Sequence, residues 1–289
     1  MIYTIESAQL QVKVKSHGAE LTSVKCKKTG YEYLWQGDAS SWGSQAPVLF
    51  PTVGRMKKFE YYYKDTRYDM PLHGFARDSE FSVKEAPDKL VFSLTHSAES
   101  MKIYPFEFLL EVIFTLDGNC LYTEYRVTNA SANENLHFGI GAHPGFNVPM
   151  SPGTEFDDYY LEFPGFDSLT HNDFTSGGQL IEKTVEIPLQ NSCLPLSYKL
   201  IEDLRTLLLV DTPVKKVAIK SKKSERYVSM EFDSAHFAVW SHPAPYVCLE
   251  PWDGLPDYDN TDGDFTTKKG DHKLPPGKVK SFKHDVIFG

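Results

Sequence analysis

Leu10-Gln11-Val12-Lys13-Val14-Lys15 alternates apolar with polar positions, the period of a strand with one buried face. The same rhythm recurs along most of the chain. Ala19 to Trp35 holds two apolar runs around a Lys27-Lys28-Thr29-Gly30 turn. Glu60-Tyr61-Tyr62-Tyr63 and Arg67-Tyr68-Asp69-Met70 flank Lys64-Asp65-Thr66 as a hairpin. Phe106 to Thr115 and Leu121 to Thr128 meet through Asp117-Gly118-Asn119, the strongest hairpin signal in the sequence. Short strands are predicted at Leu207 to Val210, Val217 to Ile219, Tyr227 to Phe232 and Phe237 to Trp240, and Lys278 to Phe288 alternates again. Pro149 to Pro195 is rich in Gly, Pro, Ser and Asp and is expected to form crossing loops, with Tyr159 to Phe163 as a candidate strand. No helical period lasts three turns, and no repeat or linker divides the chain. The pattern predicts an all-β single domain spanning residues 1–289, built from two large antiparallel sheets packed face to face.

Composition narrows the class. Hydrophobic residues make up 41% and charged residues 24%, a balance that supports a substantial core in a soluble protein. Aromatics reach 13%, which suits strands and also a pocket that stacks on the apolar face of a sugar. The formal net charge of −9 argues against nucleic acid, because phosphate neutralisation needs a basic surface. No apolar run approaches the roughly 18 residues of a membrane span, and the N-terminus enters strand-like sequence directly, so the expectation is cytoplasmic. Cys26, Cys120, Cys193 and Cys248 are scattered without metal spacing and are expected to be buried apolar fillers.

Candidate chemistry sits where the strand pattern breaks. His73-Gly74, His143-Pro144 and Glu250-Pro251 each place an ionisable residue beside Gly or Pro at the end of a strand run. Proline holds Glu250 in extended geometry. Tyr246 and Trp252 nearby could wall its carboxylate and push its pKa upward toward base duty. Singly, each histidine is more often structural than catalytic. Jointly, a base, an acid and an orienting donor are what proton shuttling requires. Arg55 and Arg77 flank His73 as a donor fork or as surface charge. There is no His-x-His or HExxH pattern for zinc, no Walker loop, no GxGxxG and no nucleophile elbow. Asp257, Asp259, Asp262 and Asp264 lack the terminal glutamate of a calcium loop and are expected to form a solvated acidic loop.

Six motifs share an order and spacing: Gly18-Ala19-Glu20-Leu21, Tyr33-Leu34-Trp35, Pro47 to Pro51, His73 to Asp78, His143 to Phe146 and Cys248 to Trp252. The set resembles the aldose 1-epimerase (galactose mutarotase-like) family over nearly the whole chain, and Glu-Pro-Trp with His-Gly-Phe-Ala-Arg resembles its LacX-like branch. The resemblance implies an antiparallel β-supersandwich and an isomerase that interconverts α and β anomers of an aldohexose without cofactor or metal. By resemblance Glu250 is the general base, His143 the general acid, and His73 and Arg55 hold substrate oxygens. The family's substrate-holding aspartate has no clear match; Asp203 and Asp211 are candidates, and Trp252-Asp253 departs from what usually follows Glu-Pro. Arg77 resembles an arginine of hexose-6-phosphate epimerases, although pairing with Asp78 is the plainer expectation. The expected partner is a free sugar, with a phosphorylated sugar or a non-catalytic sugar-binding module as alternatives, in a monomer or homodimer.

Overall fold

The Gly118-Asn119 turn shows how the frame is set. In the computed structural model, which describes residues 1–289, Phe108–Asp117 and Cys120–Asn129 pair antiparallel from Asp117↔Cys120 to Phe108↔Asn129. These two long strands lie inside a nine-stranded sheet. Its order is Cys193–Pro195, Tyr159–Glu162, Lys216–Ser221, Ser224–Phe232, Val279–Phe288, Cys120–Asn129, Phe108–Asp117, Lys89–Thr95 and Ser82–Ala86. The second sheet runs Thr206–Leu209, His236–Trp240, Tyr246–Asp253, Ile140–Ala142 and Val48–Leu49, with Gly145–Asn147 also paired to Tyr246–Asp253. The arrangement is the expected β-supersandwich.

The strand Tyr246–Asp253 is buried along its whole length, and its two faces do different work. Val247 and Leu249 enter the main core with Val112, Leu121 and Val286 of the larger sheet. Each fully buried side chain of this kind contributes about 1.5–3 kcal/mol. The alternate positions Tyr246, Cys248, Glu250 and Trp252 face away from that core, because successive strand residues point to opposite sides. Tyr246 and Cys248 pack with Trp35, Trp42 and Trp240 instead. Two-residue alternation therefore aims Glu250 out of the sandwich, toward the site.

Three segments depart from expectation. Tyr31 to Trp35 makes isolated bridges, Glu32 to Lys25 and Leu34 to Phe146, rather than a full strand. The predicted loop region holds a hairpin, Ser168–Phe174 with Leu180–Pro188. Most of Leu180–Pro188 is exposed on both faces, so it leaves no alternation to read. Tyr198–Leu204 forms a short helix, started by Ser197, whose Oγ accepts from the Leu200 N–H at 3.1 Å, and ended by Arg205 at φ +58°. No helix is long and apolar enough to cross a membrane.

Candidate active site

Glu250 and His143 reach the same point from adjacent strands of the smaller sheet. His143 occupies the break between Ile140–Ala142 and Gly145–Asn147, and both of these strands pair with Tyr246–Asp253. The His143 Nε2 lies 3.3 Å from Glu250 Oε2. Gly145 makes the packing possible: a Cβ there would stand 2.7 Å from the Trp42 ring and 3.4 Å from Cys248 Sγ. Trp42 lies against the His143 ring with centroids 5.0 Å apart, and Trp240 meets it edge-on at 5.5 Å. The loop carrying Trp42 is fixed from the Gly18-Ala19-Glu20-Leu21 motif, since the Glu20 carboxylate accepts from the N–H groups of Gln45 and Ala46.

Burial dominates the electrostatics. Glu250 is 0% exposed, and desolvation raises its pKa well above the carboxylate range. Neither carboxylate oxygen has a hydrogen-bond partner. Burial, then the neighbouring His73, lowers the His143 pKa well below the usual imidazole value. An ion pair at 3.3 Å would need the proton on His143, and burial works against that charge. The resting pair is therefore neutral and carries one proton between its two members.

His73 is held as a donor. Its Nδ1 accepts from the Gly54 N–H at 3.1 Å, which leaves the proton on Nε2. Burial and then Arg77 push its pKa down to about 3, so the ring is neutral. It stands edge-on to His143 at 5.6 Å.

These side chains line one cavity of about 680 Å³, open to solvent, a size suited to a small ligand. Glu250, His143, His73, Arg55, Arg77 and Trp252 all contribute to it. Asp211 does not. It stands at φ +47° with its side chain 84% exposed, 3.6 Å from the ring of His236, outside the cavity lining. Asp203, the other candidate, does line the cavity but is paired with Lys199 on the short helix. Arg77 does not pair with Asp78. The two residues sit in consecutive positions of a one-turn 3-10 helix, and Arg77 Nη2 donates to Ser44 Oγ at 2.7 Å instead.

Sequence reasoning missed Trp42, Trp240, Arg205 and the hairpin tip from Asp173 to Gly178, all of which line the cavity. A tryptophan inside the Ser- and Gly-rich run from Ser40 to Ser44 was the readable signal for Trp42. Two other expectations are corrected. Asp257 is 3% exposed, with its carboxylate accepting from the Lys57 N–H at 2.8 Å, so the acidic loop is anchored inward at its start. Of the four free cysteines only Cys248 is buried; the other three sit on half-buried strand positions.

Comparison with known proteins gives the family and the fold. The sequence model of the aldose 1-epimerase family matches residues 1–283. The chain is 35% identical over 269 residues to the chromosomal protein LacX of Lactococcus lactis subsp. lactis, covering 88% of each. A crystal structure of a galactose mutarotase related enzyme from Lactobacillus acidophilus superposes with a TM-score of 0.95 at 34% identity, over 100% of this chain and 97% of that one. A galactose mutarotase-like protein from Lactobacillus casei gives 0.90 at 30% identity, with both chains covered fully.

Proposed function

The chain belongs to the aldose 1-epimerase family, and on that premise we propose that it interconverts the α and β anomers of an aldohexose. The observation that carries the reading is the Glu250–His143 pair, 3.3 Å apart and both facing one cavity. In the active form the shared proton sits on His143 and Glu250 is anionic. Glu250 takes the proton of the anomeric hydroxyl while His143 gives its proton to the ring oxygen. The C1–O bond of the ring breaks and a carbonyl forms at C1. Rotation about C1–C2 presents the other carbonyl face, and closure runs the two transfers backward. The pair holds one proton before and after the step, so no exchange with water is needed. Each transfer contributes roughly 10²–10⁴ in rate, and the route uses neither nucleophile nor metal. His73 presents Nε2–H to a substrate oxygen, and Trp42, Trp240 and Trp252 supply apolar ring faces.

The test is polarimetry on freshly dissolved α-galactose and α-glucose. Catalytic protein brings rotation to equilibrium faster than buffer alone. A sugar-binding module on the same fold would bind saturably without changing the rate.

One observation favours a second substrate class. Three of the chain's six arginines, Arg55, Arg77 and Arg205, line the cavity, no lysine does, and none of the three pairs with a carboxylate. Arginine forks bind phosphate oxygens bidentately, and no carboxylate competes for these three. Comparing galactose and glucose with their 6-phosphates, in wild type and Arg77→Ala, separates the readings. A preference for the 6-phosphate that Arg77→Ala removes would make the phosphorylated sugar the substrate; equal rates keep the free aldohexose.

A further inference from the structure

Cys248 takes no part in the proton transfers, yet its thiol lies beside them. It shares a strand face with Glu250 at two-residue spacing. One donor atom each from His143, Cys248 and Glu250 falls within 4.8 Å of the other two, and all three residues are buried. The Glu250 carboxylate, wholly enclosed, has no hydrogen-bond partner on either oxygen, and His143 Nδ1 has none.

We propose that His143, Cys248 and Glu250 form a binding site for a thiophilic divalent cation such as zinc, whose occupation stops turnover. One sulfur, one imidazole nitrogen and one carboxylate oxygen are the donor types zinc takes, at about 2.0–2.3 Å in a tetrahedral shell. Such bond lengths place donors about 3.3–3.8 Å apart, so these side chains need converge by about an ångström, within reach of their terminal torsions. Charge matches as well. Thiolate, carboxylate and neutral imidazole sum to two negative charges, which a divalent cation cancels in a site that disfavours net charge. Binding forms bonds from the metal to sulfur, nitrogen and oxygen, and the displaced protons of the thiol and of the His143–Glu250 pair go to solvent. The fourth position opens to the cavity, because His143 and Glu250 both line it. Magnesium and calcium, which want six or more oxygens, find one carboxylate here and are excluded. A bound zinc occupies the lone pairs that would accept and deliver protons, so the cation and the sugar compete.

The inhibition arm of the test rests on the anomerisation reading; the binding arm does not. Anomerisation is followed while zinc is titrated, with magnesium as control and EDTA added at the end. Wild type is expected to lose activity at stoichiometric zinc, to ignore magnesium and to recover with EDTA. Cys248→Ala is expected to keep its basal rate and to need about tenfold more zinc or beyond, since even outer-shell changes cost 10–100-fold in metal affinity. Independently, cobalt(II) added to wild type should give a thiolate-to-metal charge-transfer band that Cys248→Ala lacks. Cys248→Ser, closer in shape, serves if the alanine variant does not fold. Equal zinc sensitivity with and without the thiol, or no charge-transfer band in wild type, would overturn the proposal.

Discussion

Gly74→Ala tests whether the His73-Gly74 motif is there to hold a ring in place. Gly74 stands at φ +74°, and a Cβ on it would lie 2.2 Å from the Phe50 carbonyl oxygen and 2.4 Å from its carbon. Both are backbone atoms, in the segment that accepts hydrogen bonds from the Phe75 and Ala76 N–H groups onto that same oxygen. No rotamer relieves such a contact. Restoring ordinary separation requires a shift of about 1 Å, and His73 is the residue immediately before. Left-handed backbone alone costs an alanine about 1 kcal/mol, and the displaced segment brings the total to about 2–4 kcal/mol. A 1 Å misplacement of a substrate-holding group costs about a hundredfold in rate. Gly153 is the control, at φ +77° with nothing within 4 Å of its Cβ position. Gly153→Ala should cost about 1 kcal/mol and leave the rate unchanged. Urea unfolding and polarimetry on both variants decide the matter. If Gly74→Ala matched Gly153→Ala in both, the close approach to Phe50 would not be what places His73.

Other outcomes follow from buried charge. His284 is 6% exposed, and burial pushes its pKa down from 6.5 to about 4. The neutral ring is favoured by folding, so its contribution is fully present above pH 6.5 and is lost as pH falls from there to about 4, amounting to about 3 kcal/mol. His284→Phe keeps the packing on Tyr125 and should flatten that stretch of a stability–pH profile measured by urea unfolding; an unchanged slope would refute the assignment. Lys268 and Asp271 pair at 2.9 Å with both side chains 3% exposed. Lys268→Met should cost about 3–5 kcal/mol by leaving a buried carboxylate unpaired, and the added change Asp271→Leu should recover much of it, checked by denaturant midpoints.

How much of this was legible depends on where the physics left its mark. Leu10–Lys15, the Gly118 hairpin and Val279–Phe288 each carry one buried face, and alternation recorded it. In the Ser168–Pro188 hairpin the second strand, Leu180–Pro188, is mostly exposed and leaves no pattern, yet the hairpin's tip borders the cavity. The ionisable members of the site were visible as interruptions, because His73, His143 and Glu250 stand where a strand meets Gly or Pro. Their mutual approach was not. It depends on Ile140–Ala142 and Gly145–Asn147 both pairing with Tyr246–Asp253, a long-range register that no local pattern encodes. Asp211 shows the opposite failure: an aspartate at a suitable distance along the chain, turned outward by a left-handed residue at the end of a strand. Arg205 went unnoticed because a helix end, not a motif, brings it to the mouth.

The measurement that bears most directly on the account is the anomerisation rate, by polarimetry, of wild type, Glu250→Gln, His143→Asn and the double variant. A pair acting as one unit predicts that each single change removes most of the rate, by roughly 10²–10⁴, and that the double variant is little slower than the slower single one. Full activity in Glu250→Gln, or losses that multiply in the double variant, would contradict it.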